Sequence, residues 1–175
     1  VLASRAVDFL WNNLRRDGRL LRSYLAGRAG RNAYLDDYAF FIAALLDLYE
    51  TTGHSVRLRQ ALELQEVLEL HYEDPEGGGF FMTSNDHERL PAREKPSYDG
   101  AEPAGNSVAA MNLVRIYELT GGDRHRQKAE GIFRAFSKTI ERTPAALAAM
   151  LLALDFHLDR AKQVLIVTPD SLAQA

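Results

Sequence analysis

An all-α chain of helical hairpins is what the sequence predicts, and three observations predict it. First, displacing the 175-residue chain by 68 positions lays Tyr49-Glu50-Thr51-Thr52-Gly53 on Tyr117-Glu118-Leu119-Thr120-Gly121. The same displacement puts Leu45 on Leu113, Leu48 on Ile116, Ala61 on Ala129 and Leu64 on Ile132. Nothing recurs at half that shift, which sets the chain apart from tetratricopeptide arrays with their period of about 34 residues. Second, helices that are apolar nearly all round alternate with helices that are apolar on one face only. Third, 46% apolar and 26% charged residues are ordinary for a soluble domain of this length, which buries about 70% of its surface on folding.

In chain order, Val1–Arg16 is an amphipathic helix with Leu10, Trp11 and Leu14 on its apolar side. The connection Asp17–Ala33 contains a short strand piece at Leu20–Leu25. Leu35–Thr52 is an inner helix: Leu35, Tyr38, Ile42, Leu45 and Tyr49 load one face, while Phe41, Ala44 and Leu48 load another. A tight turn at Thr52-Gly53-His54 leads to an outer helix, where Leu58, Ala61, Leu64 and Leu68 alternate with Arg59, Glu63, Glu66 and Glu69. Glu73–Gly105 is a second long connection, with four of the six prolines, the Gly77-Gly78-Gly79 turn and a strand piece at Phe80-Phe81-Met82-Thr83. The unit then repeats as inner Asn106–Leu119, a turn at Thr120-Gly121-Gly122, and outer Arg124–Arg142. A last inner helix spans Ala145–Leu158, and Val164–Val167 reads as a short buried strand.

Six helices in this order describe an open arc, because a closed ring of such hairpins needs about twice the chain. The flanks of an arc expose a large apolar surface, so a missing half or another subunit is expected to cover them. The chain opens at Val1 already in helical rhythm. We therefore expect a fragment: residues 1–160 as a partial domain and 161–175 as the truncated start of a following segment.

Composition excludes several classes. There is no cysteine, hence no disulfide, zinc–thiolate site, iron–sulfur cluster or cysteine nucleophile. Lys and Arg total 21 against 24 Asp and Glu, a net charge of −3, unlike a nucleic-acid surface. No apolar run reaches a membrane-spanning length of about 18 residues. His54 and His125 fall at the short-turn end, His71 and His157 end helices, and His87 alone lies in a long connection. With no metal-ligand spacing among them, no metal or cofactor is expected, and a cytoplasmic location is.

The short turns occupy one end of the arc, so both long connections meet the first turns of the inner helices at the other end. This mouth gathers Asp36 and Asp37 with Asp99 and Glu102. Paired carboxylates divide into general acid and base, or acid and nucleophile, as glycoside hydrolysis requires. Neighbouring helical positions diverge by about 100°, so the working pair is expected to be Asp36 or Asp37 with Asp99 or Glu102. Asp and Asn are also preferred helix caps, and Asp-Gly is a turn former, so structural roles compete for Asp36, Asp37, Asp99 and Asn106. The connection Glu73–Gly105 carries eight acids against three bases, and Asp17–Ala33 four arginines against one Asp. A hydroxyl-rich ligand with one anionic group suits such a split surface, as do surface salt bridges.

Leu35-Asp36-Asp37-Tyr38-Ala39-Phe40, Glu76-Gly77-Gly78-Gly79-Phe80-Phe81 and Tyr98-Asp99-Gly100-Ala101-Glu102-Pro103-Ala104-Gly105-Asn106-Ser107 occur in this order. From Val1 to about Val167 the chain resembles the C-terminal part of the YyaL and spermatogenesis-associated protein 20 family. Ala104 stands where that family more often has Ser. The resemblance implies half of a six-hairpin, glycosidase-like (α/α)6 toroid joined elsewhere to a thioredoxin-like domain. The function expected is carbohydrate-active, either glycosidase-like or sugar isomerase- or epimerase-like. Asp36, Asp37, Asp99 and Glu102 are its catalytic candidates, and Tyr38, Lys95, Tyr98, Asn106 and Phe81 its contacts to a sugar or glycan. The alternative is a non-catalytic binding or scaffold domain of a thioredoxin-fused protein.

Overall fold

Glycines end both hairpin helices where the repeat puts them. Gly53 and Gly121 each adopt φ 69°, and their N–H groups donate to Tyr49 O at 2.8 Å and Tyr117 O at 2.7 Å. A left-handed residue there costs a glycine little. The structure is a computed structural model describing residues 1–87, 92–159, 162 and 164. Its elements run α1 Leu2–Asn13, β1 Arg15–Arg16, β2 Arg19–Leu25, β3 Arg28–Asn32, α2 Leu35–Thr52, α3 Ser55–His71, α4 Gly105–Thr120, α5 Asp123–Arg142, a 3-10 turn Pro144–Leu147, and α6 Ala148–Leu158.

The inner layer is α2, α4 and α6, with α4 packed between the other two, while α3 and α5 back α2 and α4 from outside. Burial follows helix character. In α2, Leu35, Tyr38, Ala39, Phe41, Ile42, Leu45 and Leu46 are buried, whereas outer α5 buries only Ala129, Ile132, Phe133 and Phe136. Two polar ties lock the inner helices together. Buried Asn112 Nδ2 donates to Ala39 O at 2.8 Å, and Arg115 bridges Asp47 and Glu50 of α2 at 2.7 and 3.0 Å. The described arc ends on an apolar helix with an uncovered face: Leu152 and Leu158 of α6 are 65% and 72% exposed. Among the described residues no helix is long and apolar enough to cross a membrane.

The structure departs from the sequence expectation at four places. Helix α1 stops at Asn13 rather than Arg16, because Arg15 and Arg16 pair antiparallel with Leu20 and Arg19 around a two-residue Asp17-Gly18 turn with φ 50° and 79°. Beyond a strand piece at Leu20–Leu25, β2 and β3 form a full hairpin around Ala26-Gly27, again with both φ values positive. This is the turn geometry whose twist suits paired strands. Phe80–Thr83 forms no strand and makes a single bridge, Glu73 to Phe80. The 3-10 turn occupies Pro144–Leu147, so α6 begins at Ala148 rather than Ala145. The expected strand at Val164–Val167 and the segment 161–175 lie, but for residues 162 and 164, outside the described residues.

The second connection, where described, is pinned by backbone bonds to its surroundings. Leu35 N–H donates to Met82 O, Met82 N–H to Glu94 O and Asp99 N–H to Ala146 O. Its glycine run is a turn built on Asp74, whose Oδ1 accepts the Glu76 and Gly77 N–H groups at 3.1 and 2.9 Å. Gly78 there has φ 70° and lies so close to α5 that a Cβ would stand 2.5 Å from Gly131 O. Gly53, with nearly the same φ, has open space around it. Gly53→Ala is therefore expected to lower stability by about 1 kcal/mol from backbone strain alone. Gly78→Ala adds a steric clash and is expected to cost clearly more, about 2–3 kcal/mol; urea unfolding of the two variants measures the difference.

Candidate active site at the mouth of the arc

Helix α2 begins with two acids because its N-terminus is positively polarised. They do different things. Asp37 closes the helix start, its Oδ2 accepting the Tyr34 N–H at 2.8 Å while Arg22 Nη1 stands 3.4 Å away. Asp36 turns to the next inner helix. Gly105, the first residue of α4, comes so near that a Cβ would overlap Asp36 Oδ1 and stand 2.7 Å from Leu35 Cγ. Oδ1 of Asp36 is buried and makes no hydrogen bond of ordinary geometry. Burial pushes the Asp36 carboxyl above its ordinary value of 3.8; the Gly105 N–H opposes the shift, and the charges of Asp37 and Glu102 add to it.

These residues rim a cavity of about 440 Å³. Arg22, Asp36, Asp37 and Glu102 form its polar edge, and Leu10, Leu14, Phe40 and Phe41 are among its apolar walls. Phe40 is 40% exposed, leaving part of an aromatic ring available to a ligand. Of the four catalytic candidates, the structure thus brings three to one cavity. Arg22 and Phe40 were not singled out from sequence. The arginine-rich character of Asp17–Ala33 was the available clue to Arg22, and only the packing of α1 against α2 shows Phe40's place.

The fourth candidate is elsewhere. Asp99 Oδ1 accepts the Ala104 N–H at 2.8 Å, and Oδ2 accepts the N–H groups of Ala149 at 2.8 Å and Met150 at 3.3 Å. It caps the start of α6 from outside that helix and is not part of the cavity wall. The expected ligand contacts are likewise scattered. Tyr38 is fully buried, and its hydroxyl accepts the Leu20 N–H at 2.9 Å. Asn106 is fully buried too; its Oδ1 accepts the Phe80 N–H at 2.8 Å, and its Nδ2 donates to Phe80 O and Pro96 O. Lys95 donates to Asp74 Oδ2 at 2.6 Å and Gly78 O at 3.0 Å, holding the glycine turn. Phe81 lies under Arg93 and Lys95, at 4.1 and 5.4 Å from its ring centroid. Tyr98 is 70% exposed, away from the cavity. Burial removes Tyr38 and Asn106 from any ligand surface. Among the described residues no cluster of three or more His, Asp or Glu is arranged to hold a metal ion.

Two outcomes follow. Asp99→Asn points an amide toward two backbone N–H donors and is expected to cost about 2 kcal/mol, the size of a lost charge-assisted bond, read by urea unfolding. For Asp36 the sign is opposite to the usual carboxylate. Its folded form holds the proton more tightly than the unfolded chain, so its contribution is present below 3.8 and is lost as pH rises through the folded value. Asp86 and Asp74 are shifted down, by Arg19 and by the Gly77 N–H with Lys95 respectively, and lose their contributions as pH falls. The difference between the parent and Asp36→Asn stability curves is expected to isolate the first effect, with the variant gaining relative stability above pH about 4.

No protein-family model matches the chain. Spermatogenesis-associated protein 20 of Rattus norvegicus is 39% identical over 158 residues, which is 85% of this chain and 20% of that protein. The Homo sapiens protein of the same name is 38% identical over 158 residues, again 85% of this chain and 20% of its own length. An uncharacterized protein of Caenorhabditis elegans is 36% identical over 160 residues, 87% of this chain and 22% of that one. The chain thus spans about a fifth of the length of these curated relatives. Among solved structures, a family 76 glycoside hydrolase from a bovine Bacteroides thetaiotaomicron strain matches with a TM-score of 0.56 at 16% identity, over 75% of this chain and 28% of that chain. That likeness shows the fold, helical hairpins forming part of a glycosidase-like toroid. With 38–39% identity over 85% of its residues, the chain is similar to one stretch of the spermatogenesis-associated protein 20 relatives.

Proposed function

We propose that the mouth of this arc is a carbohydrate-active site in which Asp36 serves as acid and Glu102 as the partner carboxylate. The observation that carries this is a half-buried Asp36 whose carboxyl is pushed up by burial, on the rim of a cavity to which Glu102 also contributes. A carboxyl that keeps its proton longer than usual is suited to protonating the oxygen of a departing sugar. A second, water-exposed carboxylate is suited to activating water or meeting the positive charge that develops on the sugar ring. Asp37, held by Tyr34 N–H and Arg22, fixes the first turn that presents Asp36. The shared fold of the glycoside hydrolase structure supports the same assignment by analogy.

The apolar walls at Leu10, Leu14 and Phe40, and the exposed Leu152 and Leu158 at the other flank, support a companion proposal. Further hairpin helices, from a longer chain or another subunit, complete the ring and wall in the site. The test is turnover of a panel of chromogenic glycosides by the protein and its variants. Asp36→Asn and Glu102→Gln are each expected to lower turnover by about 10²–10⁴, while Asp99→Asn, assayed well below its unfolding temperature, is expected to retain it. Retained turnover in Asp36→Asn would sink the assignment. Saturable glycan binding without turnover, weakened by Phe40→Ala, would leave a binding module in its place.

A further inference from the structure

We infer that the mouth holds a second subsite that reads an anionic group, so that the ligand is an acidic oligosaccharide with a carboxylate on one sugar unit. This deepens the carbohydrate assignment above and rests on it. A separate cavity of about 380 Å³ lies between the end of β3 and the second connection, lined by Arg31, Asn32, Tyr34, Asp86 and His87. Tyr34 lines this cavity and stands two residues before Asp36 of the first. Arg22, from the rim of the first, stands 4.8 Å from the Tyr34 ring centroid, and the His87 ring stacks at 5.7 Å and 33°. Two cavities linked by the Arg22–Tyr34 contact suit neighbouring units of one chain-like ligand.

Charge points to the kind of unit. Asp86 is already committed, its two oxygens bound by Arg19 at 2.8 and 3.2 Å. That pair cancels and leaves the Arg31 charge uncompensated, since Arg31 carries no ion pair among the described residues. Arg31 is also held at φ 58° inside β3, a left-handed conformation that an arginine adopts at a cost. Strain kept at a non-glycine residue on a cavity wall, with no ion-pair partner for its side chain among the described residues, supports a role in binding. A guanidinium recognises a carboxylate through two parallel N–H bonds. Among the described residues His87 Nδ1 has no hydrogen-bond partner, and the exposed Asn32 amide offers both a donor and an acceptor to a sugar hydroxyl.

The experiment is isothermal titration of the 175-residue protein with uronate oligosaccharides and with the same oligosaccharides after reduction of their carboxyl groups. The acidic forms are expected to bind at least about tenfold tighter at low salt, since charge-assisted bonds are the strong ones. Arg31→Gln should remove that preference and leave affinity for the neutral forms unchanged, Arg31→Lys should keep part of it, and Phe40→Ala should weaken both forms alike. Arg31→Gly should lose the preference while raising the melting temperature, because it relieves the φ strain; this readout confirms folding independently of any ligand. Equal affinity for both forms, or a preference that survives Arg31→Gln, overturns the anionic subsite and leaves the carbohydrate assignment standing. No binding of either form overturns the anionic subsite, and the carbohydrate assignment is then decided separately by the glycoside turnover panel.

Discussion

Everything at the mouth depends on how closely the first residue of α4 approaches the first turn of α2. Gly105 is the residue that permits it, since any Cβ would overlap Asp36 and crowd Leu35. The approach puts the Asp36 carboxylate against the positive end of α4, which has no side-chain cap of its own. Asp99 repeats the device one helix further on, accepting amides at the start of α6. Each described inner helix after the first therefore meets an aspartate carboxyl from outside itself at its N-terminus. Capping, ordinarily local, here ties the inner layer together.

The same constraint explains why one acid is chemically unusual and the other not. Both sit at helix N-termini, where negative charge is favoured. Asp99 meets three well-directed N–H groups and is fully employed. Asp36 is pressed against a backbone with one oxygen unsatisfied, next to two other acids, on the edge of a cavity. Desolvation without full hydrogen bonding is what separates a reactive carboxyl from a structural one.

Much of the fold was legible in the sequence, because helix periodicity and glycine stops are short-range properties. The span of α2 and the two glycine turns are written in residues at most four apart. The three-stranded sheet was only half legible: Asp17-Gly18 between β1 and β2 is a turn signal, but Ala26-Gly27 between β2 and β3 is a weak one, and strand pairing depends on a partner. The candidate site was legible in location and not in assignment. Asp36, Asp37 and Glu102 reach one cavity as their place at the mouth suggests. Asp99, Asn106, Lys95 and Tyr38 were consumed by backbone or side-chain partners distant in sequence. Asn106 bonds Phe80 across 26 positions and Asp99 bonds Ala149 across 50. No local pattern announces such bonds; they follow from how the hairpins stack.

The external caps also give the arc a direction in time. A chain made from its N-terminus exposes Asp36 well before α4 exists, and Asp99 before the amides of Ala149 and Met150, which lie 50 and 51 positions later. Until those helices emerge, both carboxylates stay hydrated, and a bound aspartate therefore marks that the following hairpin has docked. Short-range packing lets each hairpin settle quickly on its predecessor, while the aspartates act as latches that close in sequence. An arc assembled this way registers its own growth one helix at a time.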